Sequence, residues 1–546
     1  MNTSFDSRPP VGPTPAPAPS RWASLHRLLR VLLGIVVALV TLIALFYLEE
    51  DLRGKHAWGV YAQQMTERGE VYQLKAVVPP PVPDDQNFAM TPFLAPLVDF
   101  LPGTQTWRDT NATQRAEQFG NDLSSVREPT GNWREGKRTD WPAWQAAIAE
   151  ASLKEKHRTA HAQPATTEAP VETNQLAAAA AVLAKLKEYA PVLDEFRTAS
   201  RRPYSRFNLC YDAENCAGIL LPHLAVIKKS GRVLALRASA ELTLGQPDVA
   251  LADLDLALYL ASTVRNEPFL ISHLVRCAMI QLALQPVWEG LADHQWTDAQ
   301  VATLQQQLAG LDFLADDATA MRGEQAAGNS VIAYARQNPR QLDYFVGEDQ
   351  AAYNEAAVIA LFMPRGWFYL EQVNYNRCFD AFVRQGVDLG ARRVNPEQLQ
   401  QNEEAIEQTL RGGISLLFGH RVMSAMLIPA IPPAHQKFAF TQTMVDEAVL
   451  ACGLERFRLA NGRYPDSLAE LTPRFVGKLP HDLFTGEPLK YRRTDDGRFV
   501  LYSVGWDGKD DGGMIAKRAV GKSSQMDSSR GGWSSPGDWV WPAPAP

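Results

Sequence analysis

The sequence predicts a mainly α protein: a single N-terminal transmembrane helix, a helical extracytoplasmic body and a small α+β C-terminal domain with an antiparallel hairpin. Three observations lead there. Val31–Leu48 is an uncharged apolar run. Apolar residues then recur at helical spacing through most of 174–435, the pattern of helices that each bury one face. From Pro488 to Val504 the pattern changes to alternation around Thr494-Asp495-Asp496-Gly497, a Gly-containing hairpin loop.

Residues 1–27 open with a Pro/Ala-rich stretch that cannot build a core, and the expectation is a disordered cytoplasmic tail. Residues 28–48 follow as the membrane helix. The eighteen residues of Val31–Leu48 span about 27 Å as a helix, close to the hydrocarbon thickness. Arg21, Arg27 and Arg30 precede the run, and Glu49, Glu50 and Asp51 follow it. The excess of cations on the first side places the N-terminus in the cytoplasm and the C-terminus in the periplasm, across a bacterial inner membrane. A cleaved signal peptide would have a shorter apolar core ending in small residues. Here the run ends Tyr47-Leu48-Glu49-Glu50-Asp51, which favours an uncleaved anchor.

Residues 49–153 read as a juxtamembrane helix, about Glu49–Leu74, followed by a Pro-rich arm. Trp58 and Tyr61 sit where interfacial aromatics are common. Val77–Asp85 is an extended polyproline stretch, and the apolar segment after it is expected to lie as an irregular arm on another surface. Residues 154–173, rich in Thr, Ala, Pro and charge, read as a linker.

The helical domain, 174–435, is expected to hold helices at about 175–200, 268–288, 297–338, 350–385 and 400–428. Arg232–Ala261 reads as a helix–turn–helix with Gly245 in the turn. Its small residues at close-packing positions make it similar to one tetratricopeptide hairpin, though an ordinary helical hairpin explains the same pattern. In the final domain, 436–520, a helix over Phe438–Ala460 is apolar through a wide arc. Asn461-Gly462 stops it, and Asp466 or Ser467 caps the next short helix. Residues 521–546 read as a C-terminal tail.

Composition narrows the function classes. The chain has 546 residues, 46% hydrophobic and 21% charged, values of folded domains rather than of a disordered chain. A formal net charge of −7 leaves no electrostatic case for nucleic-acid binding. The five cysteines form no C-x-x-C pair. Cys210 and Cys216 flank a polar segment, and spacing alone does not decide whether they pair. No H-E-x-x-H, G-x-S-x-G or Walker A motif occurs; Gly521-Lys522-Ser523 has Ala516 where the upstream Gly is required. His223 follows Pro222 in an apolar stretch and His420 falls within a predicted helix, which suits structural roles. No catalytic residue is assigned.

Leu459–Gly513 reads LANGRYPDSLAELTPRFVGKLPHDLFTGEPLKYRRTDDGRFVLYSVGWDGKDDGG. A polar helix end, a Tyr-Pro turn, the DLFTG segment, a hairpin and an Asp/Gly-rich loop follow one another. With the helix before it, from about residue 440 to 513, this order resembles the globular half of the major pseudopilin of type II secretion systems, over roughly one seventh of the chain. The resemblance implies a long helix packed on a small antiparallel sheet, with a calcium ion pinning the last loop. Matched by motif, the Val504 carbonyl and the Asp507 carboxylate fall at ligand positions, with Asp510 or Asp511 for the later Asp. Three Asp with flexible Gly offer the oxygens that Ca²⁺ takes, while the alternative is an acidic turn chosen for its geometry. An EF-hand is excluded, because counting from Asp507 puts Lys509 third and Arg518 twelfth. The basic leader and early Glu of a true pilin are missing from the apolar segment.

The wider order, one anchor, PPPVPDDQNFA-TP, a helical middle, YRRTDDG-FVLYSVGW and a closing GDWVW, resembles an uncharacterised envelope-protein family of the Verrucomicrobia and Planctomycetes. It implies no activity. The expected function is binding or scaffolding in the bacterial envelope, with the inner membrane and a protein partner as associates, beside a secretion or pilus-like system. An extracytoplasmic hydrolase, with a site assembled from distant helices, is the alternative.

Overall fold

The computed structural model describes residue 12 and residues 21–124, 126, 131–159, 173–213, 215–338, 363–514 and 537–544. The chain is mostly helical, with two small antiparallel sheets among the described residues. Its principal helices are α1 (Arg21–Glu67), α2 (Pro222–Thr243), α3 (Pro247–Ser262), α4 (Leu270–Ala292), α5 (Asp298–Ala309), α6 (Phe313–Gln337), α7 (Arg365–Cys378) and α8 (Pro433–Asn461).

No proline interrupts α1, so one helix carries two kinds of surface. Up to Leu48 nearly all its large apolar side chains are exposed. This part is long and apolar enough to cross a membrane, with a mean hydropathy of 2.9. Past Leu48 a stripe of Glu50, Gly54, Ala62 and Met65 is buried, at the spacing that puts residues on one helix face. It packs on α7. Gly54 and Gly366 lie at the crossing, where a Cβ on Gly54 would come 2.6 Å from the Gly366 carbonyl carbon. Asp51 accepts the Gly366 N–H at 2.6 Å and Glu50 accepts the Trp367 indole N–H at 3.0 Å. Among the described residues a second helix of sufficient length, α4, is shorter and less apolar, with a mean hydropathy of 1.3, and is more than half buried in the body.

The helix–turn–helix expected at 232–261 is α2 and α3, joined through Gly245 at φ 71°. Both pack on α4, which buries Ile280, Leu284, Val287 and Trp288 in the core. The Pro-rich arm lies on this body: Phe88, Leu94 and Leu97 are fully buried, and Phe88 meets Phe196 and Tyr259. A helix over Trp141–Thr159 extends into the span read as linker; residues 160–172 lie outside the described residues, as does most of the tail 1–27.

Several predicted helices are shorter than periodicity suggested. The 297–338 helix is α5 and α6, separated at Gly310-Leu311-Asp312, where the Asp312 carboxylate accepts the Ala315 N–H and starts α6 afresh. The 400–428 helix is three pieces, Pro396–Thr409, Gly413–Phe418 and Val422–Leu427. His420 is therefore in a turn at φ 50°, not in a helix. Gly412 at φ 117° and the Gly419-His420 turn break the periodic pattern, as glycine at positive φ does without steric cost. Of the 350–385 helix, the described part is α7 and a following wide turn.

In the C-terminal part α8 is buried along most of its length. Gly462, left-handed at φ 73°, ends it, and Ser467 with Glu470 forms a capping box on the next short helix. The sheet has the order β1 (Lys490–Arg493), β2 (Phe499–Ser503), β3 (Trp539–Trp541), all antiparallel. The hairpin lies where alternation placed it. The third strand comes from residues read as tail. It pairs Leu501 with Trp541 and Ser503 with Trp539, and α8 packs on β2 and β3.

Candidate functional site

The acidic loop after β2 is built by carboxylates that bind backbone amides. Asp482, buried, accepts the Phe484 N–H at 2.8 Å and the Val504 N–H at 3.0 Å. It ties the DLFTG turn to the end of β2, and buried Val504 starts the loop. Asp507 accepts from Lys509 N at 3.1 Å with one oxygen and from Gly537 N at 3.2 Å with the other. Asp510 accepts the Tyr502 hydroxyl at 2.8 Å and the Gly512 N–H at 3.0 Å, and its second oxygen is 3.5 Å from the Lys490 ammonium. The Tyr502 bond first, then the Gly512 amide, hold its carboxyl below the usual range.

Asp538 closes the loop from the far side. It accepts from Asp511 N at 3.3 Å and Gly513 N at 2.6 Å. Burial pushes its carboxyl up, against the pull of those two amides. Sequence reasoning placed Asp538 in the tail and Asp482 in a turn motif, so neither was a candidate. A signal did exist, since Gly537-Asp538 stands directly before the apolar Trp539-Val540-Trp541.

Of the four residues expected to hold calcium, Val504 is at the loop's buried root, Asp507 and Asp510 are engaged with their own loop, and Asp511 is exposed. Among the described residues no three His, Cys, Asp or Glu side chains converge as a metal site. Among the described residues the Asp507 and Asp510 carboxylates are taken up by the Lys509, Gly537 and Gly512 amides, the Tyr502 hydroxyl and the Lys490 ammonium.

The other concentration of polar chemistry is inside the helical body. The His223 imidazole is 2.7 Å from the Glu267 carboxylate, and Ser272 donates to the other oxygen of the same carboxylate. All three are buried. The carboxylate stands between hydroxyl and imidazole, so the imidazole does not touch the hydroxyl. A nucleophilic serine needs the histidine in that middle place. His273 donates to the Glu267 carbonyl at 2.9 Å, and burial pulls its pKa down to about 4. Burial also lowers His435, but the Asp317 carboxylate at 2.8 Å outweighs it and the net shift is upward. Each of these groups makes a hydrogen bond, which is how buried polar groups are accommodated, while His223 Nδ1, His273 Nδ1 and Asp317 Oδ1 meet no hydrogen-bond partner among the described residues.

A cavity of about 250 Å³ lies between α4, α6 and α7. Its lining is mostly apolar, including Phe269, Ile271, Val331 and Leu427, with Glu324 as its carboxyl group and no histidine. Glu324 accepts the Leu270 N–H at 3.0 Å. The Cys216 thiol and the Tyr375 hydroxyl are its other polar side-chain groups. Cys210 and Cys216 are both free thiols.

Comparison with protein-family models, curated proteins and solved structures finds no match for this chain.

Proposed function

We propose that this chain is a membrane-anchored binding or scaffold protein of the bacterial envelope, its body held in the periplasm by α1. The observation that carries the reading is the division of one unbroken helix. An exposed apolar half is continuous with a half locked onto α7 through Gly54 and Gly366. An exposed apolar surface of this length is costly in water and favourable in a bilayer. The close helix crossing makes the body move with its anchor. The arginines before the apolar run and the acids after it support an N-terminus in the cytoplasm.

Full-length protein is expected to stay with the membrane pellet through alkaline carbonate washing, and a C-terminal alkaline phosphatase fusion to be active. Recovery in the soluble fraction overturns the anchor. An inactive fusion on a membrane-integral protein overturns the orientation.

The partner is proposed to be a protein of a secretion or pilus-like assembly. The support is the order of motifs from about 440 to 513 and the packing of α8 on a three-stranded antiparallel sheet. Fold likeness says little of function by itself. The test is co-purification after gentle detergent extraction, and repeated recovery of the chain alone counts against it. Calcium at Val504, Asp507, Asp510 and Asp511 belongs to the same proposal. It requires the loop's carboxylates to exchange backbone amides for a cation.

A further inference from the structure

A cleft of about 370 Å³ opens where α1 leaves its apolar stretch. Asp51 and Lys55 of α1, Arg336 and Gln337 at the end of α6, and Arg365 and Tyr369 of α7 line it. Three cations thus face one carboxylate, and that carboxylate already accepts the Gly366 N–H at 2.6 Å. Among the described residues neither Lys55 nor Arg365 has an ion-pair partner. Arg336 is held in place: its guanidinium lies 4.1 Å over the Tyr369 ring and donates to Gln372 at 3.3 Å. The start of α7 also faces this region, and its N-cap, Pro364, provides no side-chain acceptor. That helix end is already capped by the Asp51 carboxylate, so a further anion would be held by the side-chain cations.

The position of the cleft narrows the anion. Asp51 and Lys55 are three and seven residues past Leu48, about 4.5 and 10 Å along the helix. That is the depth of headgroups when Val31–Leu48 fills the hydrocarbon layer. An apolar path adjoins it. Phe46, within the apolar run, meets Trp367 at 6.5 Å between ring centroids, and Trp367 meets Phe418 at 6.0 Å. Phe418 is 66% exposed. Cations beside an exposed aromatic at the end of a membrane helix form a surface that is charged at headgroup level and apolar just below.

We propose that this cleft binds the phosphate of an anionic phospholipid headgroup, with Phe418 set into the bilayer interface beside α1. Lys55 and Arg365 supply charge, Arg336 supplies a fixed fork of donors, and the acyl chains lie along the apolar half of α1. The inference rests on reading α1 as bilayer-spanning.

The experiment is native mass spectrometry of the full chain in mild detergent with added phosphatidylglycerol or phosphatidylcholine. Inorganic phosphate serves as the soluble competitor. Phosphatidylglycerol is expected to be retained about tenfold better than phosphatidylcholine. Neutralising one cation near a membrane surface weakens binding about fivefold. The double variant Lys55→Gln/Arg365→Gln, both at exposed side chains, is therefore expected to abolish the preference. Lys137→Gln, whose ammonium pairs with Glu135, is expected to keep it. Equal retention of the two lipids, or a double variant that behaves as wild type, overturns the proposal. Complete displacement by millimolar inorganic phosphate overturns the lipid in favour of a free anion. A chain that leaves the membrane on carbonate washing fails as an anchor. A membrane-integral chain without lipid preference fails only here.

Discussion

Gly54 and Gly366 bring the backbones of α1 and α7 into direct contact. A Cβ on Gly366 would lie 2.6 Å from the Asp51 Cα, and one on Gly54 would lie 2.6 Å from the Gly366 carbonyl carbon. Neither neighbour is the end of a flexible side chain, so either helix must move to admit a methyl group. This crossing fixes the direction of α1 relative to α7.

Gly54→Ala and Gly366→Ala are each expected to cost about 2 kcal/mol or more, the range of overpacking a close contact. Thermal unfolding of the full chain in detergent measures the loss. Limited proteolysis between α1 and the body should accelerate in the same variants. Gly59→Ala, at a position with open space around it on the same helix, is expected to raise stability by up to about 1 kcal/mol and not to accelerate proteolysis.

Stability is expected to fall as pH rises from 5 to 8. Burial pushes the Glu371 carboxyl up to about 7, although it accepts the Val422 and Met423 amides at 2.8 and 3.0 Å. Burial, with Asp253 adding to it, pushes Glu241 up to about 8. An unfolded glutamate titrates near 4.3. A folded pKa above that value means the native state binds the proton more tightly. The contribution is full below about pH 4.3 and is lost as pH passes through 7 to 8. Melting temperature against pH checks this, and Glu371→Gln should flatten the curve.

Trp541→Ala is expected to destabilise the chain by about 3–5 kcal/mol, as truncation of a buried Trp does. The ring is buried on Trp133 at 5.3 Å between centroids, across to the helical body. The next residue, Pro542, accepts the Trp288 indole N–H at 2.9 Å. Denaturant unfolding followed by Trp fluorescence measures the effect, and truncation before residue 537 should exceed it.

The calcium proposal predicts a rise in melting temperature on titration to about 1 mM CaCl₂, the range of extracellular calcium modules. Asp507→Ala should abolish the rise. A flat response would leave the loop as a turn closed by Asp507 and Asp538, each holding backbone amides. Asp538→Ala is expected to loosen that turn with or without calcium.

How much of this was legible varies by element. The end of α8 at Asn461-Gly462 and a cap at Asp466 or Ser467 were readable, because local backbone geometry decides them, while the structure chose Ser467 and added Glu470. The hairpin of β1 and β2 was readable for the same reason: its register follows from a short turn. The breaks inside 297–338 and 400–428 were not, because apolar spacing continues across them while Gly412 and the Asp312 cap reset the chain. Of the acidic loop, the sequence showed which carboxylates lie near one another in the chain. It did not show that the Gly537 amide would reach Asp507 or that the Asp538 carboxylate would accept the Asp511 and Gly513 amides.

By itself the sequence determined an apolar helix able to cross a membrane, a mostly helical middle and a C-terminal hairpin, because each depends on residues within a few turns or one loop of one another. Only the tertiary structure decided the rest. It placed Trp539–Trp541 on β2, seated α1 on α7 through two glycines 312 positions apart, and gathered Lys55, Arg336 and Arg365 around one cleft. Those pairings come from burying surfaces of elements distant in the chain, and the helical or alternating pattern of one element does not say which other surface it will meet.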